Sequence, residues 1–231
     1  EIAAVLGRWE DAETYRTTAE KAVKAYRAAF TKDGVIHSDR QCEYVRVIAF
    51  ALLGEDESRA AAATLNQMVV DNGYHLNTGF LSTPFLCGVL TQYGYTDTAY
   101  RLLLQPGAPG WLYEVNKGAN TVWETWTGID AEGKPHESLN HYSYGAICGW
   151  LFMGVCGIHF ADGQLTIAPT PHKSLGYAKA VYDSPVGRIE SGWRYEGDTV
   201  TYEFTVPCNI TAHIHLPDGR TLTLPSGTHR I

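Results

Sequence analysis

Between Glu10 and Phe30 the residues Ala12, Tyr15, Ala19, Ala22, Val23, Tyr26 and Phe30 recur at spacings of three and four, which predicts an amphipathic helix. The same period returns at about 40–53, 58–72 and 84–93, closed by Gly54, Gly73 and Gly94, where a helix C-terminus favours glycine. A shorter pattern covers 96–104 and a longer one 138–156, with Ser138 placed to cap its start and Gly157 to end it. Beyond Gly157 the period changes to alternation. "QLTIAP", "YAKAVYDS", "GRIESGWRYEG", "TVTYEFTVP", "ITAHIHLP" and "RTLTLPSG" are short β-branched and aromatic runs separated by Pro, Gly and Asp, the pattern of strands and turns.

The expected architecture is therefore α then β: about six helices over residues 1–158, then a small antiparallel β-sandwich over 159–231. Six helices make three antiparallel pairs, which either form a bundle or supply half of a toroid of twelve. The connections "DNGYHLNTGFLSTP" and "QPGAPGWLYEVNKGANTVWETWTGIDAEGKPHESLNHYSYG" are long, aromatic and rich in Gly and Pro. Loops of that length in a folded domain usually carry function.

Composition narrows the partners. Hydrophobic residues at 45% and charged residues at 19% are ordinary for a folded chain of 231 residues, which can build a core without disulfides or metal. A net charge of -7 with no basic run gives no footprint for nucleic acid or an anionic membrane, and no apolar run is long enough to span a bilayer. The five cysteines, Cys42, Cys87, Cys148, Cys156 and Cys208, are widely spaced, form no CxxC pair, and read as reduced core residues. Unpaired cysteines favour the cytoplasm. His213 and His215 alternate onto one face of a strand with no third ligand nearby, so they read as solvent-facing side chains, and no metal is expected.

The chemistry concentrates between Trp111 and Tyr144. Trp111, Tyr113, Trp123, Trp126, Tyr142 and Tyr144 stand there beside Glu114, Glu124, Asp130, Glu132, Glu137 and His141. Flat rings with a few carboxylates suit a sugar, whose C–H faces stack on aromatics while its hydroxyls need polar partners. The alternative is that the tryptophans pack a helix–loop junction and the carboxylates are solvated. "NTVWETWTG" sets Glu124 between Trp123 and Trp126, where desolvation would raise its basicity. Asn140 and His141 are expected to open the next helix and project back over the same cavity. His75, in "GYHLNTGF", would face the pocket rim if the helices belong to a toroid.

"NTVWETWTG", "SLNHYSYGAICGWLFMGVCGI" and "LTIAPTP", preceded by "HLNTGFLSTPFL" and "AYRLLLQPGAPGWLYEVNKGANTVWE", resemble in that order the C-terminal part of the bacterial α-L-rhamnosidases of glycoside hydrolase family 78. The resemblance covers essentially the whole chain. It implies an (α/α)6 toroid with a pocket for terminal α-L-rhamnose, a β-sandwich packed on it, inversion at the anomeric carbon, and no cofactor. Glu124 matches the glutamate of the family's W-E motif that acts as general base, and His141 the histidine of its N-H-Y motif that contacts the sugar. Trp123, Trp126 and Trp111 match pocket aromatics, with a packing role equally open for Trp111.

The departure is upstream. Nothing between Glu1 and Gly110 resembles the family's acid-bearing segment, and "SDRQCEYVR" lacks its acidic spacing. Together with an opening on "EIAAVLGRWEDAE" and no initiator Met, this leads to the expectation of a C-terminal fragment, inactive alone, whose partner is the N-terminal half of the same protein. Another (α/α)6 glycoside hydrolase and a non-catalytic carbohydrate-binding module are the competing readings.

Overall fold

The computed structural model describes residues 1–231. Helices α1 (Ile2–Val5) and α2 (Trp9–Phe30) lead into a minimal hairpin of β1 (Thr31–Lys32) and β2 (Val35–Ile36). Then come α3 (Gln41–Ala49), α4 (Glu55–Asp71), α5 (Thr83–Gln92), α6 (Thr96–Leu103) and α7 (Trp111–Asn116). A composite helix closes this part: a 3₁₀ turn at Ser143–Ala146, α8 (Ile147–Trp150) and a π turn at Leu151–Val155.

Helix α5 is the hub, packing on α3, α6 and α8. Its buried Thr83, Leu86, Cys87 and Leu90 fall at i, i+3, i+4 and i+7, one continuous face. Pro84 starts it where a missing N–H costs nothing. By contrast, none of the 22 residues of α2 is buried. What ties α2 down is a two-pronged ion pair, Arg27 Nη1 and Nη2 to Glu57 of α4 at 2.6 and 2.7 Å. Glu57 also accepts the Gly54 N–H at 2.7 Å, closing the N-terminus of α4.

Two departures from the sequence pattern bear on the site. Trp111–Asn116 is helical where an irregular loop was expected. The helix expected from Ser138 begins instead at Ser143, so Asn140 and His141 precede it. The cause is competition for backbone groups. The His141 N–H donates to Val122 O at 2.8 Å and the Glu124 N–H to Ser138 O at 2.9 Å, so residues 138–141 pair across the loop and cannot also make helical bonds.

The second part holds two four-stranded sheets. One has the order β10 (Gly227–Arg230), β7 (Thr199–Val206), β6 (Gly187–Glu196), β5 (Tyr177–Ser184). The other runs β3 (Ile158–Ala161), β4 (Gln164–Ile167), β8 (Ala212–His215), β9 (Thr221–Leu224). All neighbours are antiparallel except β4 and β8, which run parallel because the chain builds β5, β6 and β7 of the other sheet before returning. Strand β3 begins immediately after Gly157, in "IHFA". His213 and His215 are exposed, alternating with buried Ala212 and Ile214. All five thiols are free, but only Cys87 and Cys156 are buried; Cys148 and Cys208 are exposed, so the expectation of core cysteines holds for part of the set.

One hydrophobic core runs through both parts. At the seam, the last carbonyls of the composite helix lack helical partners and are taken by side chains of β6: Trp193 Nε1 donates to Val155 O at 2.8 Å and Ser191 Oγ to Cys156 O at 2.6 Å. Tyr100 Oη of α6 donates the other way, to Thr170 O at 2.6 Å. Gly157 makes the turn with φ 72°, so close to the returning chain that a Cβ would lie 2.1 Å from the carbonyl carbon of Ala168. Gly163 shares the left-handed conformation, φ 75°, but faces open space.

Gly157→Ala should therefore destabilise the chain well beyond the roughly 1–2 kcal/mol of a left-handed alanine. Gly163→Ala should cost only about that amount. Urea unfolding of the two variants measures the difference, and equal midpoints would contradict the close approach.

Candidate active site

The segment from Trp111 to Tyr144 is held by cross-pairing rather than by long elements. Besides the two backbone bonds above, Thr121 Oγ1 donates to Leu139 O at 2.5 Å, so the limbs 121–124 and 138–141 lie side by side. The chain between them turns back through Ile129 paired with Pro135, and His136 Nε2 lies 2.7 Å from Asp130 Oδ2. The His136 side chain and the Lys134 N–H hold the Asp130 carboxyl below its usual range.

This pairing places Glu124 and His141 on facing limbs. Glu124 is half-buried, and its Oε2 accepts the Ser138 N–H at 3.1 Å. No hydrogen bond within the chain uses its Oε1. His141 is also half-buried, with its ring stacked between Phe80 and Tyr142 at centroid distances of 5.1 Å on both sides. Its Nδ1 accepts the Ser143 N–H at 3.3 Å, which leaves Nε2 as the nitrogen able to meet a ligand.

The three tryptophans divide. Trp126 is half-buried and stacks on Tyr144 with centroids 3.7 Å apart, its edge meeting Trp111 at 5.5 Å and 90°. Trp111 is 8% exposed and donates from Nε1 to Tyr144 O at 3.0 Å, so it braces the stack from below. Trp123 is 1% exposed, its ring closed over by Gly128, whose Cβ would come within 3.0 Å of it. Glu124, the next residue, is half-buried where Trp123 is fully buried. Trp123 is thus a core side chain here, not a pocket wall. His75 packs at Gly73 and Gly107. Its Nδ1 is buried without a partner.

The sequence puts Glu114 among the segment's carboxylates without a role, and gives no sign of Phe80. Glu114 is 4% exposed; Oε2 accepts the Trp123 N–H at 3.2 Å and Oε1 is buried with no partner. Burial pushes its carboxyl up to about 7, with the Trp123 N–H opposing. The signal was its place three residues after Trp111, which puts both side chains on one face of α7. Phe80 touches both His141 and Tyr144 from the α4–α5 loop. No group of three or more His, Cys, Asp or Glu side chains converges as a metal site would require.

The chain thus combines helices whose connecting loops gather carboxyls and stacked aromatics at one site with a β region behind them. Residues 1–155 match the family model of the bacterial α-L-rhamnosidase six-hairpin glycosidase domain, and 163–229 match that of the bacterial α-L-rhamnosidase C-terminal domain. The chain belongs to the bacterial α-L-rhamnosidase family. Among curated relatives, an α-L-rhamnosidase of Formosa agariphila is 36% identical over 96% of this chain, and one of Streptomyces avermitilis 34% identical over 94%. The chain spans 25% and 22% of their lengths, about a quarter of each relative. The crystal structure of the Aspergillus terreus α-L-rhamnosidase superposes on all of this chain with a TM-score of 0.92 at 28% identity, covering 28% of that enzyme. The Streptomyces avermitilis enzyme, solved in complex with L-rhamnose, superposes on 99% of this chain with a TM-score of 0.90 at 31% identity, with 25% of its own length covered.

Glu114 makes stability depend on pH. Its carboxyl binds a proton more tightly folded, at about 7, than at the ordinary 4.5. The folded chain is therefore favoured below pH 4.5 and loses that advantage as pH rises to about 7, at roughly 1.4 kcal/mol per pH unit. Glu114→Gln removes the titrating group while keeping an acceptor for the Trp123 N–H. Melting temperatures across pH 5 to 8 should show the parent losing stability relative to the variant as pH rises; parallel curves would contradict the buried acid.

Proposed function

We propose that this chain forms the C-terminal part of an inverting α-L-rhamnosidase: residues 1–158 the second half of its catalytic toroid, and 159–231 the β-sandwich packed on it. The substrate is a terminal α-L-rhamnosyl residue of a glycoside or polysaccharide, and the N-terminal half of the same protein supplies the general acid and the rest of the pocket. In support stands the length of the relatives, about four times the span matched here.

The observation that carries the reading is the pairing of the two limbs, which holds Glu124 and His141 on neighbouring segments of one loop, with Phe80 joining His141 to the Trp126–Tyr144 stack. Inverting hydrolysis needs a carboxylate that removes a proton from water as it attacks the anomeric carbon, while a second carboxyl protonates the departing oxygen. Glu124 takes the first part. One oxygen is fixed by the Ser138 N–H and the other is free to receive the proton, so its direction is set before substrate arrives. His141 donates from Nε2 to a sugar hydroxyl, and Trp126 and Phe80 offer ring surface to the C–H face, with Tyr144 packed behind Trp126. Trp111 supports that surface. Acid–base hydrolysis of this kind needs no cofactor.

In the whole protein, Glu124→Gln should lower kcat on p-nitrophenyl α-L-rhamnoside by about 10²- to 10⁴-fold, with KM within a few-fold of the parent. Retention of parental turnover would overturn the base assignment. The 231-residue chain alone should show no turnover on the same substrate.

A further inference from the structure

A carboxyl group buried among aromatic rings with a single hydrogen bond is an expensive placement, and Glu114 is in that position. It is 4% exposed, no cation forms an ion pair with it, and Oε1 has no partner at all. Its only side-chain bond goes to the backbone N–H of Trp123, the residue immediately before Glu124. Helix α7, which carries it, is two turns long and makes a second such contact: Trp111 Nε1 donates to Tyr144 O at 3.0 Å. The two residues sit three apart on one face, so α7 grips both sides of the site, the limb of Glu124 through Glu114 and the aromatic stack through Trp111.

We propose that Glu114 is a positioning residue for Glu124: through the Trp123 N–H it fixes the peptide from which the base projects. The inference rests on the reading of Glu124 as the base. From the N–H that Glu114 holds, the next peptide along donates the Glu124 N–H to Ser138 O, and Ser138 N–H returns to Glu124 Oε2. One residue earlier, Val122 O receives the His141 N–H. The ladder has polar partners on its outer side through residues 138–141; Glu114 is the polar contact on its inner side, where all else is the Trp123 ring and its neighbours. Without it the Trp123 N–H would be a buried donor with no acceptor, and the limb would shift to find one. A displacement of about 1 Å in a catalytic group lowers turnover by about 10²-fold.

The test compares Glu114→Gln, Glu114→Met and Glu124→Gln in the whole protein. Glutamine keeps an oxygen for the Trp123 N–H, whereas methionine fills the space and offers none. The expected result is Glu114→Gln within about two-fold of parental kcat, and Glu114→Met down by about 10- to 100-fold in kcat with KM unchanged and a folded circular dichroism spectrum. Parental kcat in Glu114→Met overturns the inference, and so does a matching loss in both Glu114 variants, because that would show rescue by the acceptor to be absent. If Glu124→Gln is inactive while Glu114→Met is fully active, the base assignment stands and only this inference falls. If Glu124→Gln retains parental turnover, the base assignment falls and takes this inference with it.

Discussion

The constraint on which this site depends is that a long connection, from Leu104 to Ser143, must satisfy its backbone polar groups with only one short helix of its own. The solution is the lateral pairing of 121–124 with 138–141, floored by α7. That single arrangement decides the rest. It withholds Ser138 to His141 from the following helix and leaves Glu124 half-buried next to the buried Trp123 ring. It also puts the limb of His141 beside the limb of Glu124, although the two are separated by a turn that has its own bridge and its own Asp130–His136 bond. The tip of the loop, residues 131–137, is exposed and held by the Ile129–Pro135 bridge and the Asp130 bonds, while the paired limbs lie deeper.

Much of the fold was legible because its helices bury one face. Helices α3 to α6 lie within a few residues of the periodic runs, since each presents apolar positions at three- and four-residue spacing to α5 or its neighbours. The alternating runs after Gly157 became β4 to β9 for the matching reason, with Leu165, Ile167, Phe204 and Ile214 facing in and their neighbours facing out. What pattern could not show was set by hydrogen bonds between segments distant in sequence. Helix α7 has only six residues, too few for periodicity, and depends on Gly110 before it and on contacts to Tyr144 and Trp123. The late start of the composite helix is the same effect in reverse, an apolar pattern overruled by backbone groups already committed elsewhere.

The site was legible to a different degree. Glu124 and His141 could be named from their motifs, and the pairing of their limbs gives that choice a geometry. The aromatic residues were harder, because composition does not say which rings face a ligand. Trp111, Trp123 and Trp126 divide into brace, core and partly exposed surface, and the partly exposed ring rests on Tyr144. Phe80 was invisible because it reaches the site from another loop, and Glu114, though visible as one of several carboxylates, shows its role only by what it touches.

The seam between the two parts extends the same logic. A composite helix ending in a π turn leaves carbonyls without helical partners, and those of Val155 and Cys156 are met by Trp193 and Ser191, two residues apart on one face of β6. The β region is therefore a cap for the helix that follows the loop of Glu124 and His141, not merely a neighbour of it. The 3₁₀ turn that supplies Tyr144 to the aromatic stack opens the helix whose far end the sheet holds. Tyr100 adds a second tie, reaching from α6 to Thr170 in the chain between β4 and β5. Position at the Trp126–Tyr144 stack is thus coupled through one short composite helix to the packing of the sheets, which explains why a loop-built site can be held this firmly at the edge of an all-helical layer.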